Sequence, residues 1–310
     1  MYEYDKRVVL TLDAGGTNFV FSAIQGNNEM ISPIGLPAVS DNLDECLEVL
    51  VKGFDRVIAA IPVPPVAISF AFPGPADYEN GIIGDLPNFP SFRGGVALGP
   101  FLKHKYGIPV FIENDGNLFA YGEALSGALP MINRELSLAG CSREYKNLIG
   151  ITLGTGFGAG VVINKVLLTG DNGCGGDIWL MRNKKYPDML AEESVSIHAV
   201  RRVYSDLSGQ SSASLSPKDI YDIAEGIKEG DSHAAIASFN ELGIMAGAAI
   251  ASVLNVVDGL VVIGGGVAGA SKYILPALIT ELRAQLTTFS GNKFPCKYIM
   301  EKMNRRELVS

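Results

Sequence analysis

The chain has 310 residues, of which 47% are hydrophobic and 19% are charged, which is the composition of a packed globular protein and not of a disordered one. Its formal net charge of -8 at pH 7 argues against a protein whose main function is to bind the nucleic-acid backbone. Glycine is abundant, with 36 residues, and its runs lie beside apolar segments, which indicates ligand-binding turns.

Apolar runs and segments of helical periodicity follow one another along the chain and predict an α/β architecture with a largely buried sheet. Strands are predicted at Val8–Leu12, Phe19–Ile24, Val66–Phe72, Val110–Glu113, Leu148–Leu153, Gly160–Ile163 and Gly259–Ile263. Helices are predicted at Leu43–Gly53, Gly116–Leu125, Ser196–Leu207, Pro217–Glu229, Ser232–Leu254 and Lys272–Phe289. Ser216 is expected to cap the helix that begins at Pro217.

The sequence carries no pattern typical of a secreted or membrane-spanning protein. Residues 1–7 lack an apolar stretch of signal-peptide type, and the most apolar region, Leu242–Val267, is interrupted by Asn255 and Asp258. The four cysteines are far apart and form no C-x-x-C pair, which disfavours structural zinc and a disulfide framework. We therefore expect a cytoplasmic protein that has neither a membrane nor a nucleic acid as its partner.

Two segments of the chain resemble each other. Val9–Thr17 and Gly150–Gly158 each combine an apolar strand with a Gly/Thr-rich turn, and a second apolar strand follows after a few residues. The short connection predicts a β-hairpin in each case and not a β-α unit. The similarity suggests two related lobes, although Gly-rich hairpins are common in unrelated proteins.

The first candidate site is the turn that begins at Asp13. A carboxylate at the end of a buried strand, followed by Gly15 and Gly16, suits a phosphate group and its Mg²⁺ ion, because glycines let backbone N–H groups approach the oxygens. Thr17 and Asn18 can add side-chain donors, and Asp13 can hold Mg²⁺ directly or through water. The alternative is a tight hairpin turn with a capping Asp.

Two further glycine-rich turns follow apolar strands. They are Leu153–Gly160, with Gly154, Thr155 and Gly156 as candidate phosphate contacts, and Gly264–Gly269, with Gly264, Gly265 and Gly266 as candidate contacts of an adenine ring or ribose. The second turn matches G-x-G-x-x-G, so a nicotinamide-dependent oxidoreductase is the alternative reading. The chain that follows Gly269 is too short for the remaining strands of a dinucleotide fold.

A carboxylate also follows the predicted strand Val110–Glu113. Asp115 stands at the carboxyl end of this strand, where open α/β sheets bind their ligands, and it can accept the proton of a substrate hydroxyl that attacks phosphorus. Asn114 beside it can fix neighbouring hydroxyls. The alternative is that Asp115 or Asn114 caps the helix that follows.

Two turns with polar tips add candidate hydrogen-bonding groups. Pro73–Asp77 and Leu86–Pro90 are rigid because of their prolines, and Asn88 in the second turn is flanked by two of them. Neither turn by itself predicts more than a loop.

Taken in this order, these segments resemble the ROK family of bacterial sugar kinases and repressors, on the wider actin/hexokinase-like (ribonuclease H-like) ATPase fold. The motifs that carry the resemblance are Asp13–Asn18, Phe72–Asp77, Asn88, Glu113–Asn117, Gly154–Gly158 and Val262–Gly266. The resemblance implies two α/β lobes with a deep interlobe cleft, the cofactors ATP and Mg²⁺, a homodimer, and phosphorylation of the 6-hydroxyl of a hexose. We expect residues 1–116 with about 290–310 in the N-terminal lobe, and residues 117–289 in the C-terminal lobe.

The resemblance also implies roles for individual residues. Asp115 becomes the general base, and the family's sugar contacts transfer to Gly74, Asn88, Asn114 and Asp115. The family's G-E-I-G-H segment reads Gly176-Asp177-Ile178-Trp179-Leu180 here, so Asp177 replaces the Glu and Leu180 replaces the His. Leu180 cannot form a hydrogen bond, so hydroxyls of the sugar lose a usual partner.

The family's zinc motif, C-x-C-G-x-x-G-C-x-E, is absent, and residues 183–191 stand in its place without a cysteine. Its closing Glu corresponds to Glu192, because Ser196 then falls at the expected offset, and Glu193 is the neighbouring alternative. Trp179 is expected to pack as a buried aromatic side chain and not to stack on the sugar. The resemblance therefore points to a branch without zinc, with Asp177 and Glu192 as further sugar contacts.

The sequence leaves the substrate open between a glucose-like hexose and an N-acetylhexosamine. A sugar-binding sensor or transcriptional regulator of the same family, without catalysis, is the alternative function. A helix-turn-helix would have to precede the first phosphate motif in such a regulator, and that motif begins at Asp13. The acidic net charge and the presence of Asp115 favour an enzyme.

Overall fold

The computed structural model of the chain describes residues 2–15, 18–74, 76–84 and 90–296. Its strands are β1 Val8–Ala14, β2 Asn18–Gln25, β3 Asn28–Glu29, β4 Ile34–Pro37, β5 Ala67–Ala71, β6 Ala76–Asp77, β7 Ile82–Ile83, β8 Val110–Glu113, β9 Leu148–Leu153, β10 Phe157–Ile163, β11 Val166–Leu167, β12 Leu260–Gly264, β13 Gln285–Thr287 and β14 Lys293–Pro295. Its α-helices are α1 Leu43–Ala60, α2 Leu98–Tyr106, α3 Asp115–Leu125, α4 Ala128–Leu138, α5 Ile197–Ser208, α6 Pro217–Ala224, α7 Ser232–Val257 and α8 Ser271–Leu282. Short 3₁₀ helices lie at Pro90–Phe92, Ile178–Leu180, Ala191–Ser194 and Gly266–Ala270.

The chain divides into two compact units, each with its own sheet and core. Unit 1 contains the described residues of Met1–Leu118, Leu125–Arg134 and Thr169–Gly173, and unit 2 contains those of Phe119–Ala124, Glu135–Leu168 and Cys174–Ser310. The expected lobe limits, 1–116 with about 290–310 and 117–289, stay a prediction. Residues 297–310 lie outside the described part of the chain.

The sheet of unit 1 has the strand order β3-β2-β1-β5-β8, with β4 also paired to β2. The strands β1 and β2 form the predicted antiparallel hairpin, whereas β1, β5 and β8 run parallel. In this register Asp13 lies opposite Ala71, and Ala71 lies opposite Glu113. The three parallel strands therefore end level with one another, and the residues that follow them meet at one edge of the sheet.

The core of unit 1 is aromatic and packs under α1. The helix begins after Asn42, whose side-chain oxygen accepts a hydrogen bond from the backbone N–H of Glu45 at 3.3 Å. The ring of Phe54 on α1 meets the ring of Phe21 on β2 edge to face, with 5.1 Å between the centroids. Cys46 on the same helix is buried, and this burial raises the pKa of its thiol to about 11.

The sheet of unit 2 repeats the same arrangement with the order β11-β10-β9-β12. The strands β9 and β10 form an antiparallel hairpin, and β12 pairs with β9 in parallel. Both hairpins predicted from the sequence are thus confirmed. The order matches β3-β2-β1-β5 of unit 1, so the similarity between the two segments extends to the pairing of their strands.

Unit 2 is built around α7, a helix long and apolar enough to cross a membrane by length and composition alone. The most apolar region of the sequence, Leu242–Val267, spans the second part of this helix and the strand β12 after it. Within the described residues, α7 contributes side chains such as Phe239, Leu242 and Ile250 to the buried core of unit 2. Burial of these side chains is what a core helix of a globular unit requires.

The prediction of one helix over Lys272–Phe289 is wrong at its end. The helix α8 ends at Leu282, and β13 and β14 form an antiparallel hairpin after it. The hairpin is closed at its base by a hydrogen bond from the N–H of Cys296 to the carbonyl of Ala284, 2.8 Å long. The helical period continues in the sequence across Gln285–Thr287, but these residues form a strand, and Gly291, which has a φ of 83°, lies in the turn of the hairpin. The helices α2 and α4 are not among those predicted from the sequence.

Candidate functional site

The first glycine turn of unit 1 leaves β1 at the edge where the parallel strands end. Asp13 is exposed at this edge, and Asn18 is exposed where β2 begins. A Cβ atom on Gly15 would lie 2.9 Å from the carbonyl oxygen of Asn18, so this close approach requires glycine. Gly16 and Thr17, the other predicted phosphate contacts of this turn, lie outside the described residues.

Asn114 and Asp115, the two candidate residues after β8, differ in their contacts with the helix that follows. The side-chain oxygen of Asn114 accepts hydrogen bonds from the backbone N–H groups of Gly116 at 2.9 Å and Asn117 at 3.3 Å, so Asn114 caps α3. The carboxylate of Asp115 accepts from the N–H of Gly116 at 2.9 Å and is otherwise exposed. Asn114 therefore provides the cap of α3, and the carboxylate of Asp115, which among the described residues bonds only the N–H of its neighbour Gly116, is exposed and accessible to a substrate.

Glu113 and Asn117 stabilise this segment by hydrogen bonds, a role that was not predicted from the sequence. Oε1 of Glu113 accepts from the N–H of Asn114 at 2.9 Å and from Nδ2 of Asn117 at 3.1 Å. Asn117 is only 6% exposed. Glu113 is the last residue of β8 and Asn117 lies in the first turn of α3, and the E-N-D-G-N motif that contains both is the signal that could have revealed the pair.

A tyrosine braces the turn that contains Gly74. The hydroxyl of Tyr78 donates to the carbonyl of Phe72 at 2.9 Å, and a Cβ atom on Gly74 would lie 3.0 Å from that hydroxyl oxygen. The backbone N–H of Phe72 bonds the carbonyl of Glu113, which ties the turn to the end of β8. Gly74 thus lies at the same sheet edge as Asp115, whereas Asn88 lies outside the described residues.

In unit 2, the register of the strands brings the other two glycine turns together. Gly264 lies opposite Thr152, so the turn after β12 leaves the sheet beside the turn between β9 and β10. Gly265 has a φ of 90°, and a Cβ atom there would collide with the backbone of Leu153. Gly154, Thr155 and Gly156 of one turn and Gly264, Gly265 and Gly266 of the other therefore share one edge of this sheet.

The segment around Glu192 is bonded to the turn between β9 and β10. Oε2 of Glu192 accepts a hydrogen bond of 2.8 Å from the backbone N–H of Phe157, and the N–H of Ile197 donates to the carbonyl of Gly154 at 3.0 Å. Glu192 is partly buried, whereas Glu193 is exposed. No pattern in the sequence predicted this contact between Glu192 and the glycine turn.

Asp177 lies elsewhere in unit 2, on a turn against β10. Gly176 has a φ of 96°, and a Cβ atom on it would lie 3.1 Å from the carbonyl oxygen of Ala159. Asp177 is exposed, and the side chain of Leu180 is 51% exposed. Trp179 packs against the core of unit 2, as expected for an ordinary aromatic side chain.

Asn183 holds together the segment that stands in place of the zinc motif. Its Nδ2 donates to the carbonyl of Leu190 at 3.0 Å and to Oγ of Ser194 at 2.8 Å, and its Oδ1 accepts from the N–H groups of Lys185 and Tyr186, both at 3.0 Å. Only 1% of Asn183 is exposed. Among the described residues, no group of three or more His, Cys, Asp or Glu side chains could hold a metal ion.

The candidate residues thus form one group in each unit. Asp13, Gly15, Asn18, Gly74, Asn114 and Asp115 share the carboxyl edge of the sheet of unit 1. The two glycine turns and Glu192 lie together in unit 2, and Asp177 lies on a separate turn of that unit. Each group contains glycine turns that suit anionic oxygens, and the group of unit 1 adds two exposed carboxylates.

Comparison with protein families shows which family the chain belongs to. The model of the ROK family matches residues 9–304. The chain belongs to the ROK family. The similarity stated from the motifs is therefore confirmed across nearly the whole chain.

Similar proteins of this family include named glucokinases. A crystal structure of a glucokinase from Parabacteroides distasonis shares 66% identity and a TM-score of 0.84, over 91% of this chain and 79% of that chain. A glucokinase from Thermotoga maritima is 26% identical over 290 residues, which are 88% of this chain and 86% of the relative. A ROK family glucokinase from Streptomyces griseus, in complex with glucose and AMPPNP, has a TM-score of 0.66 at 20% identity, over 89% and 88% of the two chains.

The solved ROK structures confirm the fold class expected from the sequence, the two-lobed actin-like ATPase fold. A shorter match concerns a regulator of the family. The xylose repressor of Bacillus subtilis is 31% identical over 134 residues, which are 42% of this chain and 31% of the repressor. The ROK relatives taken together support a sugar kinase.

Proposed function

We propose that this ROK protein is an ATP-dependent hexose kinase that transfers the γ-phosphate of ATP to the 6-hydroxyl of glucose or a related hexose. The observation that carries the proposal is the level ending of β1, β5 and β8, which aligns Asp13 with Glu113 through Ala71. The exposed Asp115 follows at the edge where open α/β sheets bind ligands. The names of the glucokinase relatives support glucose as the substrate, and the AMPPNP complex supports ATP.

Asp115 acts as the general base in this proposal. Its carboxylate accepts a hydrogen bond from the sugar hydroxyl, and the hydroxyl oxygen forms a bond to the γ-phosphorus while the bond from that phosphorus to the leaving ADP oxygen breaks. The proton passes to Asp115. Oδ1 of Asn114 is engaged by the N–H groups of Gly116 and Asn117, so Nδ2 is the group of Asn114 that donates to a sugar hydroxyl.

The residues present fit ATP and Mg²⁺. Asp13 offers an exposed carboxylate beside a turn in which Gly15 has no room for a Cβ atom, and magnesium takes few protein carboxylates and keeps several waters. When bound there, the ion would neutralise charge on the phosphates. The remaining nucleotide contacts of the proposal are Gly15, Gly16, Thr17, Asn18, Gly154, Thr155 and Gly156 for phosphates, and Gly264, Gly265 and Gly266 for the adenosine.

The proposed sugar contacts are Gly74, Asn88, Asn114, Asp115, Asp177 and Glu192. Glu192 is preferred over Glu193 because its carboxylate points to the glycine turn of unit 2, whereas Glu193 is exposed. The side chain of Leu180 has no hydrogen-bonding group, so this protein is expected to bind the hydroxyls near the anomeric carbon with fewer partners than relatives that carry a His at that position.

We expect Asp115→Asn to lower kcat at least about 100-fold while the thermal midpoint stays close to that of the wild type, because a positioned general base contributes about 10²–10⁴-fold. The measurement is ADP release from MgATP with glucose, mannose, fructose, N-acetylglucosamine or N-acetylmannosamine added in turn. The substrate is the sugar that stimulates ADP release most strongly.

The matched control is Asp206→Asn, which removes the same charge from an exposed position on α5. This variant should keep wild-type turnover. Near-normal kcat in Asp115→Asn would show that another group accepts the proton. If no hexose stimulated ADP release in the wild type, the kinase proposal would fail.

The second candidate is a sugar-responsive regulator, which the match to the xylose repressor favours. That match covers 31% of the repressor and leaves the rest of it without a counterpart in the alignment. The homodimer and the cytoplasmic location stay predictions.

A further inference from the structure

An anionic side chain of this protein occupies a turn that is proposed to bind anions. The carboxylate of Glu192 accepts the N–H of Phe157, and a Cβ atom on Gly156 would collide with Oε2 of Glu192. The absence of a side chain at Gly156 therefore leaves room for the carboxylate of Glu192, as it would for a phosphate. Backbone N–H groups of such turns attract anions, and here the N–H of Phe157 already donates to the carboxylate of Glu192.

A nucleotide phosphate that approaches the same turn meets this negative charge. Like charges a few ångströms apart repel each other strongly in a partly buried setting, where water screens them less than at an open surface. Glu192 is partly buried, so its charge is poorly screened at the turn. The nucleotide is thus expected to bind better when this charge is withdrawn or neutralised.

The backbone around Glu192 is held by packing and hydrogen bonds, whereas its side chain is only partly buried. Ala191 and Ser194 of the same 3₁₀ helix are 3% and 1% exposed, and the N–H of Val195 donates to the carbonyl of Glu192 at 3.0 Å. Asn183 also bonds Oγ of Ser194. A rotation of the carboxylate away from Phe157 therefore needs no rearrangement of the segment.

We propose that Glu192 couples the two substrates: its carboxylate occupies the glycine turn until a sugar hydroxyl donates to it and draws the charge off the turn. Sugar then binds before the nucleotide and raises the affinity for it. Coupling is reciprocal, so the nucleotide raises the affinity for sugar by the same factor. The inference rests on the proposed function, since it assumes a hexose and ATP as the substrates.

The test is the binding of AMPPNP with Mg²⁺, measured by calorimetry with and without saturating glucose. In the wild type, glucose should raise the affinity for AMPPNP at least about fivefold, the lower end of usual coupling. Glu192→Gln keeps an oxygen that can accept from Phe157 but removes the charge. We expect this variant to bind AMPPNP at least about fivefold more tightly than the wild type without sugar, and glucose to change its affinity less than about twofold.

Glu193→Gln is the matched control, because it removes the same charge from the neighbouring exposed position. It should bind AMPPNP like the wild type, with the full effect of glucose. Equal affinities of the wild type and Glu192→Gln for AMPPNP without sugar would overturn the coupling, even in a protein that phosphorylates glucose. If the wild type phosphorylated no hexose but Glu192→Gln still bound AMPPNP more tightly, the proposed function alone would fail, and absence of AMPPNP binding in every variant would overturn both.

Discussion

At the scale of single residues, Asn183 braces by hydrogen bonding the segment that stands in place of the expected zinc motif. All of its side-chain hydrogen-bonding groups are engaged, and they join Lys185, Tyr186, Leu190 and Ser194. Because Glu192 lies between the last two of these residues, the brace also fixes the backbone from which Glu192 reaches the glycine turn. A buried amide satisfied in this way is costly to replace.

We expect Asn183→Asp to lower the free energy of unfolding by about 1–3 kcal/mol, because the new carboxylate has no hydrogen to donate to the carbonyl of Leu190, which it faces. Chemical denaturation followed by circular dichroism measures this change. Lys184→Ala on the same segment is the control: it breaks an ion pair with Glu281 whose lysine is 51% exposed, so its cost should stay below about 1 kcal/mol. A midpoint of Asn183→Asp equal to that of the wild type would contradict the brace.

At the scale of elements, two helical glycines have opposite surroundings. Gly53 on α1 is buried against the ring of Phe21, and a Cβ atom there would collide with that ring. Phe21 is fully buried and contacts the rings of Phe19 and Phe54, so it has little room to move. Gly122 on α3 is exposed, and a Cβ atom on it would meet no other atom within 4 Å. Sequence alone does not distinguish the two, since both stand in helical patterns.

Gly53→Ala should therefore lower the free energy of unfolding by about 1–2 kcal/mol net, because overpacking of about 1–3 kcal/mol outweighs the helix preference of alanine. Gly122→Ala should raise it by about 0.5–1 kcal/mol, because only the helix preference acts there. Urea denaturation of the two variants beside the wild type measures both changes. The packing of α1 against β2 would be wrong if both substitutions stabilised the protein.

At the scale of the whole molecule, both units repeat one strand order, and each presents glycine turns at an edge of its sheet. The net charge of -8 applies to the chain as a whole. A protein that works as a DNA-binding regulator gains its affinity mainly from cations that neutralise phosphates, which makes binding depend steeply on salt. The charge therefore separates the kinase from the regulator more cleanly than the shared fold does.

We expect the protein to show no salt-dependent binding to mixed DNA fragments at an ionic strength of about 0.05 M, where electrostatic binding would be strong. A gel-shift titration with and without glucose measures this, and a known repressor of the family serves as the positive control. Binding that weakens as salt rises would favour the regulator over the kinase.

Features that depend on local spacing could be predicted before the fold was known. The strands Val110–Glu113 and Leu148–Leu153 were predicted with the bounds that the structure has, and both hairpins and the cap at Ser216 followed from neighbouring residues. The motifs, taken in order, also indicated the family. Local patterns suffice for these features because hairpin turns, helix caps and glycine-rich turns involve residues that are close along the chain.

Contacts between residues that are distant along the chain could not be predicted in this way, because they depend on how the whole chain folds. The contact of Glu192 with Phe157, the alignment of Gly264 with Thr152, and the bonds of Asn183 to Leu190 and Ser194 depend on strand register and on segments that fold back on one another. The helix that the sequence extended to Phe289 ends at Leu282 for a related reason, since the closure of the hairpin at Ala284 and Cys296 outweighs the local helical period. Hydrogen bonds between remote segments leave no periodic trace in the sequence, and so they become visible only in the folded chain.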